Sequence, residues 1–181
     1  MPGTGPSPAL RRVLVAGTSG AGKSTLARRI GAALDVPYTE IDALHHGPRW
    51  TPRPEFLDDV TELAASDAWV TEWLYPPARP VLLARAQAVV WLDLPTPVVM
   101  TQVVRRTVLR SLRGTELWAG NREAPLWTFF TERNHIVRWA WRTRHDTAAR
   151  VAAFPQDAPH VVVVRLRSHR EAERWLAGLA R

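Results

Sequence analysis

The chain has 181 residues, 46% of them hydrophobic, no cysteine and a formal charge of +7. That length suits one domain with a real core, no apolar run is long enough to span a membrane, and disulfides and thiol chemistry are excluded. The charge fits either a nucleic-acid partner or a site for polyanionic phosphates, and arginine richness alone does not argue for DNA binding.

Residues 1–10 read as a disordered lead-in without the charged start and apolar stretch of a secretion signal, so a cytoplasmic protein is expected. Residues 12–16 form the first predicted strand, with the apolar run Val13, Leu14, Val15 and Ala16. It leads into Gly17, Thr18, Ser19, Gly20, Ala21, Gly22, Lys23, Ser24 and Thr25, which is G-x-x-x-x-G-K-[ST] with one further threonine. Leu26, Ile30 and Leu34 then recur at helical spacing. Strand, glycine loop and helix are the context in which this motif binds phosphate. The loop amides converge on phosphate oxygens while the helix points its positive end at the same place. All nine residues are therefore candidates for holding ATP, with Lys23 on the β- and γ-phosphates and the Ser24 hydroxyl on Mg²⁺. Lys23 is the single lysine among 24 lysines and arginines. It stands where a tight loop needs a compact ammonium and a planar guanidinium would not serve.

A second strand is predicted over residues 37–41, ending at Asp42, followed by a loop to residue 53 holding His45, His46 and Trp50. Pro54 opens a helix with Phe56, Val60 and Leu63 on one face. Residues 68–71 form a third strand ending at Glu72, residues 81–86 a short helix, and residues 88–92 a fourth strand ending at Asp93. Thr96-Pro97 starts a helix running to about residue 112. Residues 114–125 are irregular, and residues 126–150 are helical in pattern and rich in Trp and Arg. Residues 161–166 form the last strand, and Ser168 with Glu171 makes a capping box for a terminal helix. Five continuously apolar strands between helices predict a parallel sheet covered on both faces, in one domain over residues 1–181.

Phosphoryl chemistry asks for a second acid near the metal, and Glu72 and Asp93 are both strand-end candidates. Asp42, at the carboxyl end of a strand where ligands bind in open α/β sheets, is a candidate to activate an acceptor hydroxyl. His45 and His46 are adjacent and expected to diverge, which makes them a poor metal pair and acceptor-site lining at best. Between residues 105 and 150 there are ten arginines against four acids. Arg105, Arg106, Arg110 and Arg122 are candidates to neutralise the transferring group. Residues 113–125 would form an arginine-bearing lid.

With these features the chain resembles small P-loop kinases of the adenylate kinase-like group, above all bacterial topology modulation proteins and adenylate kinase-like ATPases. The likeness rests on the glycine loop, Ile41-Asp42-Ala43-Leu44-His45, Trp69-Val70-Thr71-Glu72, Val90-Trp91-Leu92-Asp93-Leu94-Pro95 and Arg105-Arg106. It implies a P-loop NTPase sandwich of three α/β/α layers, with a five-stranded sheet in the order 2-3-1-4-5 and a helical lid. It also implies a strand-three acid serving the metal, which favours Glu72 over Asp93. Glu72-Trp73-Leu74-Tyr75 departs from the Asp-Gly-Phe-Pro-Arg of nucleotide kinases, so a nucleoside monophosphate acceptor does not follow. The resulting expectation is an ATP–Mg²⁺ kinase with a small-molecule acceptor that the sequence does not name. The rivals are an ATPase or nucleotide-dependent regulator, and then a nucleic-acid-binding module.

Overall fold

The structure is a computed structural model, and it describes residues 10–113, 118–121, 141–143, 145–154 and 158–179. The lead-in to residue 9, Arg122, most of the predicted lid and residues 126–140 of the predicted long helix lie outside the described residues.

The elements in chain order are β1 (Arg12–Gly17), α1 (Lys23–Leu34), α2 (Ile41–His45), α3 (Phe56–Ala65), β2 (Trp69–Glu72), α4 (Ala78–Leu83), β3 (Ala88–Leu92), α5 (Thr96–Arg113), α6 (Asp146–Ala152), β4 (Val162–Leu166) and α7 (His169–Leu179). The strands form one parallel sheet in the order β2-β1-β3-β4. Successive strand side chains point to opposite faces. Val13 and Val15 therefore enter one core with Leu26, Ile30, Val99, Val103 and Leu176. Leu14 and Ala16 enter the other, with Ile41, Phe56, Val60, Leu82 and Phe154. Helices α1, α5 and α7 thus cover one face, and α2, α3, α4 and α6 the other. Both faces being buried explains why β1 and β3 carry continuous apolar runs.

The expected sheet of five strands in the order 2-3-1-4-5 is corrected in its count: among the described residues there are four strands, and β2-β1-β3-β4 are the predicted third, first, fourth and fifth. Residues 37–41 make a single bridge, Tyr38 to Val70, with Thr39 N–H donating to Val70 O and Val70 N–H donating to Pro37 O, both at 2.9 Å. Pro37 has no N–H to give, and from Ile41 the chain winds into α2 with Asp42 in its first turn, where a helix N-terminus favours an acid. Helix α4 begins earlier than predicted because Tyr75 O accepts the N–H groups of Ala78 (3.0 Å) and Arg79 (3.2 Å). The predicted helix to residue 150 is broken by turns at Thr143 and His145 before α6.

Candidate active site

The glycine loop takes its shape from backbone that other residues resist. Gly20 and Gly22 have φ of +84° and +94°. A Cβ on Gly20 would also lie 2.0 Å from Val103 Cγ2 of α5, so this glycine is required by conformation and by space. Gly22 caps α1 with no side-chain hydrogen bond to the first turn, which leaves the helix's opening amides without a side-chain acceptor. Lys23 is buried, and its Nζ donates to Thr18 O at 3.1 Å. Burial lowers its pKa from 10.5 to about 8; the carboxylates of Asp42 and Glu72 oppose the shift, and the Arg106 cation adds to it.

Those three charges identify the neighbours of the loop. Glu72 is the last residue of β2, in register with Val15 of β1, and is 1% exposed. Its Oε2 accepts from Ile41 N–H at 3.1 Å and its Oε1 from the Tyr38 hydroxyl at 2.8 Å. Desolvation, aided by Glu72, raises the Tyr38 pKa and keeps the phenol protonated. The Ser24 side chain lies near the same phenol and opposes the rise in its pKa. Asp93 behaves differently. Its carboxylate pairs with Arg165 of β4, whose guanidinium lies 4.6 Å above the Trp91 ring centroid. Asp93 is turned toward the sheet edge, while Glu72 is turned toward α1.

Asp42 faces a set of rings that the sequence did not single out as a unit. The Tyr75 hydroxyl donates to Asp42 Oδ1 at 2.5 Å and contacts His46 Nε2 at 3.0 Å. His45 stacks on Tyr75 with centroids 3.8 Å apart, and His46 stacks on Trp118 at 5.8 Å. The two histidines do not diverge as expected. Their Nδ1 atoms are 3.4 Å apart, because α2 ends between them and His46 takes an extended conformation. Burial lowers both histidine pKa values, which favours the neutral rings. Among the described residues no cluster of three or more His, Cys, Asp or Glu could hold a metal.

Part of the predicted lid meets this wall. Asn121 is buried; its Nδ2 donates to Gly47 O (2.9 Å) and Trp118 O (2.8 Å), and its Oδ1 accepts from Trp50 N–H (3.0 Å). Of the candidate arginines, Arg106 on α5 is partly buried and within electrostatic reach of Lys23, whereas Arg105 is exposed. Arg110 is placed on the same helix. Tyr38 and Tyr75 are the neighbours that sequence reasoning missed. The one usable signal was that two tyrosines in the whole chain both fall beside strand-end acids.

No protein-family model matches the chain, and no curated protein matches its sequence. Solved structures do. A gluconokinase from Sinorhizobium meliloti superposes with a TM-score of 0.54 at 23% identity, over 96% of this chain and 95% of that one. A shikimate kinase from Bacteroides thetaiotaomicron gives 0.51 at 16% identity, over 94% and 97%. The chain has the fold of a small P-loop kinase. A sugar kinase from Janibacter sp. extends the likeness, with a TM-score of 0.51 at 22% identity over 93% of each chain. At these identities the likeness is one of fold, and the resemblance to topology modulation proteins rests on sequence motifs alone. No helix among the described residues is long and apolar enough to cross a membrane.

Proposed function

We propose that the protein is an ATP-dependent phosphotransferase that moves the γ-phosphoryl group to a hydroxyl of a small molecule. The observation that carries this reading is the gathering of Lys23, Ser24, Glu72 and Asp42 around one glycine loop, with Glu72 held by the Tyr38 hydroxyl and the Ile41 amide. The loop amides and Lys23 would hold the phosphates. Ser24 and Glu72, two hard oxygen donors beside a phosphate cradle, fit Mg²⁺, which takes one or two protein oxygens and completes its shell with water and phosphate. When bound, Mg²⁺ would neutralise charge on the phosphates. Asp42 would accept the proton of the acceptor hydroxyl, and Arg106, within electrostatic reach of Lys23, would meet charge in the transition state. The neighbours, named as gluconokinase, sugar kinase and shikimate kinase, support an acceptor of sugar or sugar-acid size over a polymer.

The test is Mg²⁺-ATP turnover with a panel of sugars, sugar acids, other alcohols and nucleoside monophosphates, with ADP release measured in each. An acceptor that raises ADP release at least about a hundredfold over water supports the kinase reading. Equal release with every acceptor favours the ATPase reading, and no ATP binding by calorimetry, with or without Mg²⁺, overturns both.

A further inference from the structure

A general base needs its oxygen open to the substrate proton, yet Asp42 Oδ1 is engaged by the Tyr75 hydroxyl at 2.5 Å. A phenol has one proton. If it goes to Asp42, the 3.0 Å contact with His46 Nε2 runs the other way, with His46 donating to the Tyr75 oxygen. The ring is held by His45 stacked on one face and by Phe56 edge-on at 5.3 Å. Its backbone is left-handed, φ +55°, at a residue with a Cβ immediately before Pro76. Such a conformation persists only where the surroundings enforce it. Here the enforced result is a hydroxyl aimed at Asp42. None of the roles assigned above uses it.

Resting on the kinase reading, we propose that Tyr75 is a positioning residue that reserves Asp42 for the acceptor and keeps it from activating water. The reaction held back is hydrolysis. In it a water oxygen bonds to the γ-phosphorus, the bond to the β–γ bridging oxygen breaks, ADP leaves with the electron pair, and the water proton passes to Asp42. Water has no other contacts with which to offset loss of the Tyr75–Asp42 bond. An acceptor brings binding interactions from its non-reacting parts, and these displace the phenol as its hydroxyl takes the place on Oδ1.

The experiment measures phosphate release from Mg²⁺-ATP with water as the only acceptor. Tyr75→Phe keeps the ring and its stacking and should raise the rate about tenfold, within the usual range for one general base. Combining it with Asp42→Asn should return the rate to the wild-type level or below, since the effect acts through Asp42. An unchanged rate in Tyr75→Phe, or a rise that survives in the double variant, overturns the proposal. ATP calorimetry on the wild type separates the two readings: no binding sinks the kinase reading, whereas binding with an unmoved rate sinks only the role of Tyr75. Should Tyr75→Phe not fold, [¹³Cζ]tyrosine labelling reads the contact, because two tyrosines give two resonances. Asp42→Asn must shift one of them and spare the other. Absence of any shift overturns the proposal.

Discussion

The two sides of the candidate site reach the same backbone region largely by different means. On the nucleotide side the positive φ values fall on Gly20 and Gly22. On the acceptor side they fall mainly on residues with a Cβ, Arg49, Trp50, Tyr75 and Ala119, all between 55° and 59°, with one glycine, Gly120, at 76°. Glycine takes that conformation freely, whereas a residue with a Cβ is held there by its contacts. One shape is therefore written into local residue type. The other is assembled from distant pieces: Tyr75 on Asp42, Trp118 on His46, and Asn121 on the Gly47–Trp50 turn.

Charge should dominate the first side. Lys23→Ala should weaken ATP binding about a hundredfold, on the scale of losing one preorganised phosphate donor. The fold should be unharmed, because the ammonium is buried at a desolvation cost. A calorimetric titration alongside a thermal melt checks both halves. Next in size is pH. In the free protein Lys23 loses its proton near pH 8, so ATP affinity measured without Mg²⁺ should fall roughly tenfold between pH 7.5 and 9.5, with proton uptake on binding above pH 8. The stability linkage has the opposite sign. Between about 8 and 10.5 the unfolded chain binds more protons than the native one, so this lysine's contribution to stability rises with pH across that window. Calorimetry in two buffers of different ionisation enthalpy would expose an absent uptake.

The acids sharpen the contrast further. Glu72→Gln puts an NH₂ against either the Ile41 N–H or the Tyr38 hydroxyl, and should cost about 1–3 kcal/mol together with most Mg²⁺ dependence. Asp93→Asn breaks a partly exposed pair with Arg165 and should cost under about 1 kcal/mol. Urea melts and Mg²⁺ titrations of both variants rank them, and a larger effect at Asp93 would move the metal acid to β3. A last pair of variants tests the backbone itself. Gly20→Ala should destabilise by about 1–3 kcal/mol through its clash with Val103, whereas Ala119→Gly should stabilise by about 0.5–1 kcal/mol. A destabilising Ala119→Gly would mean that the left-handed turn is not strained.

What could be read from sequence follows the same division. The glycine loop, the core strands and the Ser168–Glu171 cap are local, and each residue type there has one dominant physical use. The structure puts Glu171 N–H 3.2 Å from Ser168 Oγ and Arg167 N–H 2.7 Å from Glu171 Oε2. Asp93 had the stronger apolar lead-in, and only the family resemblance favoured Glu72. Their partners, Tyr38 and Arg165, are 34 and 72 residues away and separate them only in three dimensions. The predicted strand at residues 37–41 failed because an apolar pattern does not reveal that Pro37 withholds a donor and that Ile41 serves better as the buried start of a helix.

Asn121 carries a consequence for how related sequences should drift. Its amide reads the Gly47 carbonyl and the Trp50 N–H, groups that every non-proline residue supplies. Pro48 and Arg49 can therefore change identity without breaking the join, and no compensating change at position 121 is called for. Asn121 itself has little latitude, since aspartate lacks the donor and glutamine is one methylene too long. In an alignment of true relatives this join would leave a nearly invariant column facing a variable turn. Covariation between the two would be weak, and a contact that ties two loops together would be almost invisible to methods that look for paired substitutions.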